Sequence, residues 1–233
     1  VGSVSVGGVD RLLTAGCSFT KHCWPTWADY LGKHYTWHKQ LGRGGQDNAN
    51  IARSVINTVK QNDTVVIMWT GYDRWNTYDN GWQHNGCLVG NKDFYTNYYN
   101  PIERFTTTMD YIQLIDKDAK LKGYTCYHFS AFNWFLSEIH TNVPENLTNI
   151  FTEYDDISNS YLMSQSLLEY QEKNNELFTI SHKYDKKDTH PTPITQWNYL
   201  VKYIVPKLPI SIDSAQNDHV LNDQNEVMNG NIN

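Results

Sequence analysis

The chain has 233 residues, and 19 Lys and Arg against 25 Asp and Glu give a formal net charge of −6. Apolar residues make up 39%, charged residues 19% and aromatic residues 14%, a balance of few charges and many rings that excludes a disordered chain. An acidic surplus without a Lys/Arg cluster excludes nucleic-acid backbones as main partners, and the longest strongly apolar run, Val65 to Trp69, is far too short to span a bilayer.

In chain order, Arg11-Leu-Leu-Thr-Ala15 predicts a short strand running into Gly16-Cys-Ser-Phe-Thr20. Pro25 to Lys33 reads as a helix, with Pro25 in its first turn and Trp27, Tyr30 and Leu31 on one face. Tyr35 to Leu41 is a second strand, closed by Gly42-Arg-Gly-Gly45. Asp47 or Asn48 then caps a helix in which Ile51, Ala52, Val55, Ile56 and Val59 recur at helical spacing. Thr64 to Trp69 is apolar throughout and rich in β-branched side chains, as in a strand covered on both faces.

Between Gly71 and Asn100 the periodicity disappears in an aromatic-, Gly- and Asn-rich insertion, too long for a simple connection and therefore functional. Asn100-Pro-Ile-Glu103 restarts a helix with a cap residue, Pro at its first position and a stripe from Ile102 to Ile115. Tyr124 to Phe129 is a fourth strand, Asn133 to Asp156 is irregular, and Ser160 to Lys173 is helical. Thr192-Pro-Ile-Thr opens a last helix ended by Pro206 and Pro209. Residues 211–233 form a polar, flexible tail, open to an assembly partner. Strand–helix alternation over residues 1–210, without an internal repeat, predicts one α/β domain around a parallel sheet, with ligands at the carboxyl ends of the strands.

Cys17, Cys23, Cys87 and Cys126 are scattered, with no CxxC pair and no metal-ligand spacing, and read as free, mostly buried thiols. The chain begins at Val1 rather than Met, as a processed or excised chain does. It reads as soluble; its compartment is not written in the composition.

The chemistry-bearing residues cluster at strand ends. Ser18 sits on a strand-to-helix turn, where a hydroxyl is exposed and its own N–H can face an oxyanion, or where it simply caps a helix. Gly45, in the Gly-rich turn after the second strand, offers a bare backbone N–H, or only a turn. Thr70-Gly-Tyr-Asp73-Arg74 follows the third strand. Asp188-Thr-His190-Pro-Thr puts a carboxylate two residues before an imidazole, as a general base requires. The Gly42 turn matches neither the dinucleotide nor the P-loop fingerprint.

The order Ser18, Gly45, Asp73, His190 resembles the SGNH hydrolases, or GDSL-type esterases, over Leu12 to Leu208. Gly-Cys-Ser18-Phe-Thr and Asp188-x-His190-Pro-Thr-Pro look like a subgroup of that family found in bacteriophages and in bacterial surface-polysaccharide loci. The resemblance implies a flavodoxin-like three-layer sandwich and no metal or organic cofactor. It implies Ser18, His190 and Asp188 as catalytic residues, with the Ser18 and Gly45 N–H groups as the oxyanion hole. The family's third block supplies an Asn donor that Gly71-Tyr72-Asp73 lacks, leaving Tyr72, Asp73, Arg74 and Asn48, with Asn76, as replacements or substrate contacts. The Asp–His spacing is also one residue short, with Asp185 as the fallback. The rings of the insertion, among them Trp75, Tyr78 and Trp82, interleave with amides and suit stacking on sugars, pointing to a small acyl group on a carbohydrate. The second reading is a weak or inactive member of the same scaffold, a glycan-binding or virion-associated structural module.

Overall fold

A computed structural model of the chain describes residues 11–78, 82–84, 99–132, 162, 165–176, 180–181, 187–188, 190–212 and 217–229. Strands β1 (Arg11–Gly16), β2 (Trp37–Gln40), β3 (Thr64–Trp69) and a later strand at Thr125–Ser130 form one sheet in which every pairing is parallel. Two short hairpins lie apart from it: β4 (Asn76–Tyr78) with β5 (Trp82–His84), and β7 (Ile180–Ser181) with β8 (Lys187–Asp188). The Thr125–Ser130 strand is thus β6, and the sheet order is β2-β1-β3-β6, the first four strands of a flavodoxin-like sheet.

Alternation along the strands explains the layers. Leu12, Val66, Met68, Tyr127 and Phe129 point to one face, under α1 (Trp27–Gly32) and two later helices. Leu13, Ala15, Val65, Ile67 and Trp69 point to the other, under α2 (Asn48–Ile56) and α3 (Pro101–Lys122). With both faces covered, β1 and β3 are apolar almost without break, which is why they are so visible in the sequence.

Local chemistry sets the helix ends. Thr26 caps α1, with the Asp29 carboxylate accepting from its backbone N–H at 2.8 Å, so Pro25 precedes the helix instead of lying in its first turn. Asp47 caps α2 by accepting from Asn50 N–H at 2.9 Å. Asn100 caps α3, and Gly123 ends it with φ 72°, a left-handed geometry that glycine adopts without steric cost. Ser166, with Glu169 in a capping box, starts α4 (Leu167–Lys173) later than the pattern predicts. Thr192 starts α5 (Pro193–Tyr199), which runs on through a π turn (Leu200–Ile204) and a 3-10 turn containing Pro206.

Within the polar C-terminal stretch the structure has a further helix, α6 (Asn217–Met228). Its Val220 and Val227, seven residues apart and both buried, recur after two helical turns on one face. Val220 joins the core under α1 and α5, and Val227 packs on Trp24. Polar anchors complete the docking: Tyr30 Oη donates to Asp223 at 2.9 Å and Trp197 Nε1 to Asn217 at 2.8 Å. Burial, reinforced by the Asp223 carboxylate, pushes the Tyr30 hydroxyl well above its ordinary range, so it stays a donor. Four apolar side chains in the dozen, of which Leu221 and Met228 stay exposed and only Val220 and Val227 are buried, were too sparse to betray this helix. Among the described residues, no helix is long and apolar enough to cross a membrane.

Tyr30→Phe should therefore loosen α6 specifically. A hydrogen bond to a charged group contributes about 1.5–3 kcal/mol. Hydrogen exchange over 217–228 should accelerate in the variant while the β1 and β3 amides stay protected; unchanged exchange in α6 would show that the Tyr30–Asp223 bond adds nothing to its docking.

Candidate active site

The first strand leaves the sheet through Gly16, where a Cβ would stand 2.7 Å from the Met68 carbonyl oxygen; only glycine lets the chain turn so close to β3. Thr20 N–H and Lys21 N–H then both donate to the Cys17 carbonyl, at 3.0 and 3.1 Å. This single tight turn lifts half-buried Ser18 above the sheet while Cys17 and Phe19 enter the core. Ser18 does not cap α1, which starts only at Trp27. Its loop is pinned instead at the Thr20 carbonyl, which accepts from the Thr26 hydroxyl at 2.6 Å and the Gln40 amide at 2.9 Å.

Gly42 to Gly45 follow β2 directly beside that turn. Arg43 N–H donates to Gly16 O at 3.1 Å, and a Cβ on Gly42 would press on Thr20 and Lys21 at 3.0 Å. Gly45 has φ 73°, the left-handed region, so it too is a glycine by necessity.

The exit of β3 is held by Asn48. Its Oδ1 accepts from Thr70 N–H at 3.0 Å, and its Nδ2 donates to Thr70 O at 3.1 Å and Thr108 Oγ1 at 3.2 Å. Asn48 is 4% exposed and both of its amide hydrogens are committed, so it is a brace rather than a spare donor for substrate. Asp47 adds a second tie, accepting from Asn76 N–H at 2.9 Å. Tyr72 meets Phe105 edge-on at 5.8 Å and packs toward the core under α2 and α3, and Asp73 folds its carboxylate over Gly71. Arg74 points its guanidinium at the Phe132 ring, 5.2 Å from the centroid; its Nη1 is enclosed without a hydrogen-bond partner among the described residues. Trp75, 8% exposed, is an interior ring and not an open sugar platform. Tyr78 and Trp82 pair across the β4–β5 hairpin; their side chains lie outside the described residues.

His190 closes the site from the loop before α5. Its Nε2 lies 2.8 Å from Ser18 Oγ, across 172 positions of sequence. With the imidazole proton on Nδ1, Nε2 accepts from the Ser18 hydroxyl, the geometry of a nucleophile beside its base. Phe19 meets the His190 ring edge-on at 5.4 Å, and His22 stacks on it at 4.2 Å with 17° between planes. The Trp24 indole donates to the Pro191 carbonyl at 2.9 Å, tying the Ser18 loop to the residue after His190. Asp188 belongs to β8, paired with Ile180; its carboxylate, like Asp185 and Cys87, lies outside the described residues. Cys17 and Cys126 are buried free thiols, and Cys23 is exposed.

The structure thus brings Ser18 and His190 together with the Gly42–Gly45 turn beside them. His22 and Phe132 were not singled out by the sequence reading. His22 is one of nine histidines, and only its place four residues after Ser18 marks it. No protein-family model matches the chain, and no curated protein matches it. Among solved structures, the chain is similar to a crystal structure described as a "putative acylhydrolase" from Bacteroides fragilis NCTC 9343, with 16% identity and a TM-score of 0.39 over 91% of this chain and 88% of that one. A likeness this distant leaves the chemistry to be argued from the site itself.

If Asn48 is a brace, Asn48→Ala strands a buried N–H and C=O at Thr70. At about 1–3 kcal/mol for each unsatisfied group, urea unfolding should show a loss of roughly 2–4 kcal/mol. A variant as stable as the parent would return Asn48 to the list of free donors.

Proposed function

We propose that the chain is a serine ester hydrolase. The observation that carries this reading is the 2.8 Å contact between His190 Nε2 and Ser18 Oγ, formed at the carboxyl end of the sheet, where such folds bind ligands. Ser18 Oγ attacks the ester carbonyl as His190 Nε2 takes its proton. The tetrahedral oxyanion collapses by expelling the alcohol, which recovers that proton from His190. Water, deprotonated by the same imidazole, then releases the acid from Ser18. The backbone N–H groups of Ser18 and Gly45 hold the oxyanion, and Asp188 orients the imidazole from the strand just before it.

Of the third-donor candidates, Arg74 suits the role best, because Asn48 is spent on Thr70 and Tyr72 packs away into the core. Its guanidinium lies over Phe132, whose ring contacts Phe19 at 4.9 Å, and Phe19 in turn touches His190. The domain unit is residues 1–210, to which α6 adds its support.

The substrate is a small acyl ester of a carbohydrate. With Tyr72 and Trp75 turned inward, this part rests on the rings and amides between residues 78 and 99. The same stretch holds few aliphatic side chains, which argues against a tunnel for a long acyl chain.

Diisopropyl fluorophosphate should label Ser18 alone, read by mass spectrometry, and Ser18→Ala should lower turnover of p-nitrophenyl acetate at least about a thousand-fold. Arg74→Ala should lower kcat by about a hundred-fold, the typical effect of losing one oxyanion donor. A folded protein in which Ser18 stays unlabelled, or a Ser18→Ala variant with full activity, defeats the proposal.

A further inference from the structure

The imidazole of His190 is held by rings from the nucleophile's own loop. His22 lies nearly parallel to it, with centroids 4.2 Å apart and 17° between planes. Trp24 meets His22 at 4.1 Å and 82°. Trp24 is itself anchored: it is buried against Val227 of α6, and its indole N–H is bound to the Pro191 carbonyl. Phe19 supplies the remaining edge contact to His190. The indole hydrogen bond and packing on Val227 thus hold Trp24, Trp24 backs His22, and His22 covers one face of the base.

We propose that His22 is a positioning residue for His190, its neutral ring holding the base for proton transfer and its protonation blocking that transfer. The inference rests on the esterase reading above. When His190 takes the Ser18 proton, it becomes a cation over the face of a neutral ring, a favourable arrangement. When His22 is already protonated, the same step would set two cations face to face, and each charge opposes the other.

On its own loop, His22 is flanked by Lys21 and the Cys23 thiol, both exposed. Arg43, on the adjoining glycine turn, and Glu226, beside Val227 on α6, are exposed as well. Charges in water are strongly screened. Asp188 stands two residues before His190 on the facing loop. Among the described residues, the titratable group in stacking contact with His22 is His190.

Two variants separate the parts. His22→Phe keeps a flat ring and removes the charge; His22→Ala removes both. NMR titration of the imidazole Cε1–H signals reads the coupling without any turnover. The His190 signal should follow two steps in the parent protein and a single step in His22→Phe. In p-nitrophenyl acetate hydrolysis at pH 8, His22→Phe should keep kcat within about two-fold, and His22→Ala should lose about ten-fold in kcat with KM little changed, the cost of a misplaced base. On the acid side, log kcat/KM should steepen beyond one proton in the parent and fall about ten-fold per pH unit in His22→Phe. Identical His190 titrations in the parent and His22→Phe, or full kcat in a folded His22→Ala, overturn the proposal. Two-step titration in a protein with no Ser18-dependent turnover would instead locate the failure in the esterase reading.

Discussion

Parallel pairing of β1 between β2 and β3 is the constraint from which the site follows. Parallel strands all leave a sheet at the same edge, so the chain after each of the three emerges beside the other two. Leu13 pairs with both Lys39 and Val65, and Gly16 reaches level with Met68. The turn bearing Ser18 therefore rises between the Gly42 turn and the Thr70–Arg74 segment, at the crevice where successive connections pass to opposite faces of the sheet. Nothing about Ser18 itself demands this place; it is carried there by an apolar strand that is buried on both faces.

Placement by the sheet would be loose without the polar ties above it. Thr70 has its N–H and C=O both answered by one buried amide, Asn48, and the Thr20 carbonyl accepts from two side chains. Asp47 serves α2 and the β4 hairpin with one carboxylate. A buried polar group left unpaired is costly, so each tie admits few alternative geometries. Such bracing by amides and hydroxyls fits a chain with only 19% charged residues. Its histidines likewise divide by surroundings: His128, fully buried, accepts from the Trp69 indole and donates to Asp116, a core role with no route to substrate.

The parts legible in sequence are those set by local chemistry. Thr64–Trp69 stood out because a strand covered on both faces must be apolar throughout, Asp47 and Asn100 because a helix start needs an acceptor for its free N–H groups, and Thr192 because Pro193 suits a first helical position. Ser18 and His190 were nameable because short motifs surround them, although their contact spans 172 positions. What could not be read depends on partners distant in sequence. Asn48 looked like a spare donor because its partners Thr70 and Thr108 lie 22 and 60 residues away. Trp75 looked like a sugar platform because a ring's composition does not say which way it faces. The stack of His22 on His190 has no periodic signature at all.

The C-terminal helix shows how far this matters. Its sequence is polar, and polarity read locally means a solvated tail. Yet Val227 packs on Trp24, Trp24 bonds the carbonyl beside His190, and Trp24 backs the ring stacked on that imidazole. An element can therefore be almost wholly exposed and still bear on the site, provided its few buried atoms touch the residue that fixes the base. For α6 the residue concerned is Val227, which closes the outer side of a stack whose inner side is the proposed chemistry, while Val220 secures the helix to the core. Burying such a side chain contributes about 1.5–3 kcal/mol, and the Tyr30–Asp223 and Trp197–Asn217 bonds, with Val220, hold the rest of the helix to α1 and α5. Release of α6 would therefore uncover Trp24, and with it the outer side of the stack on His190.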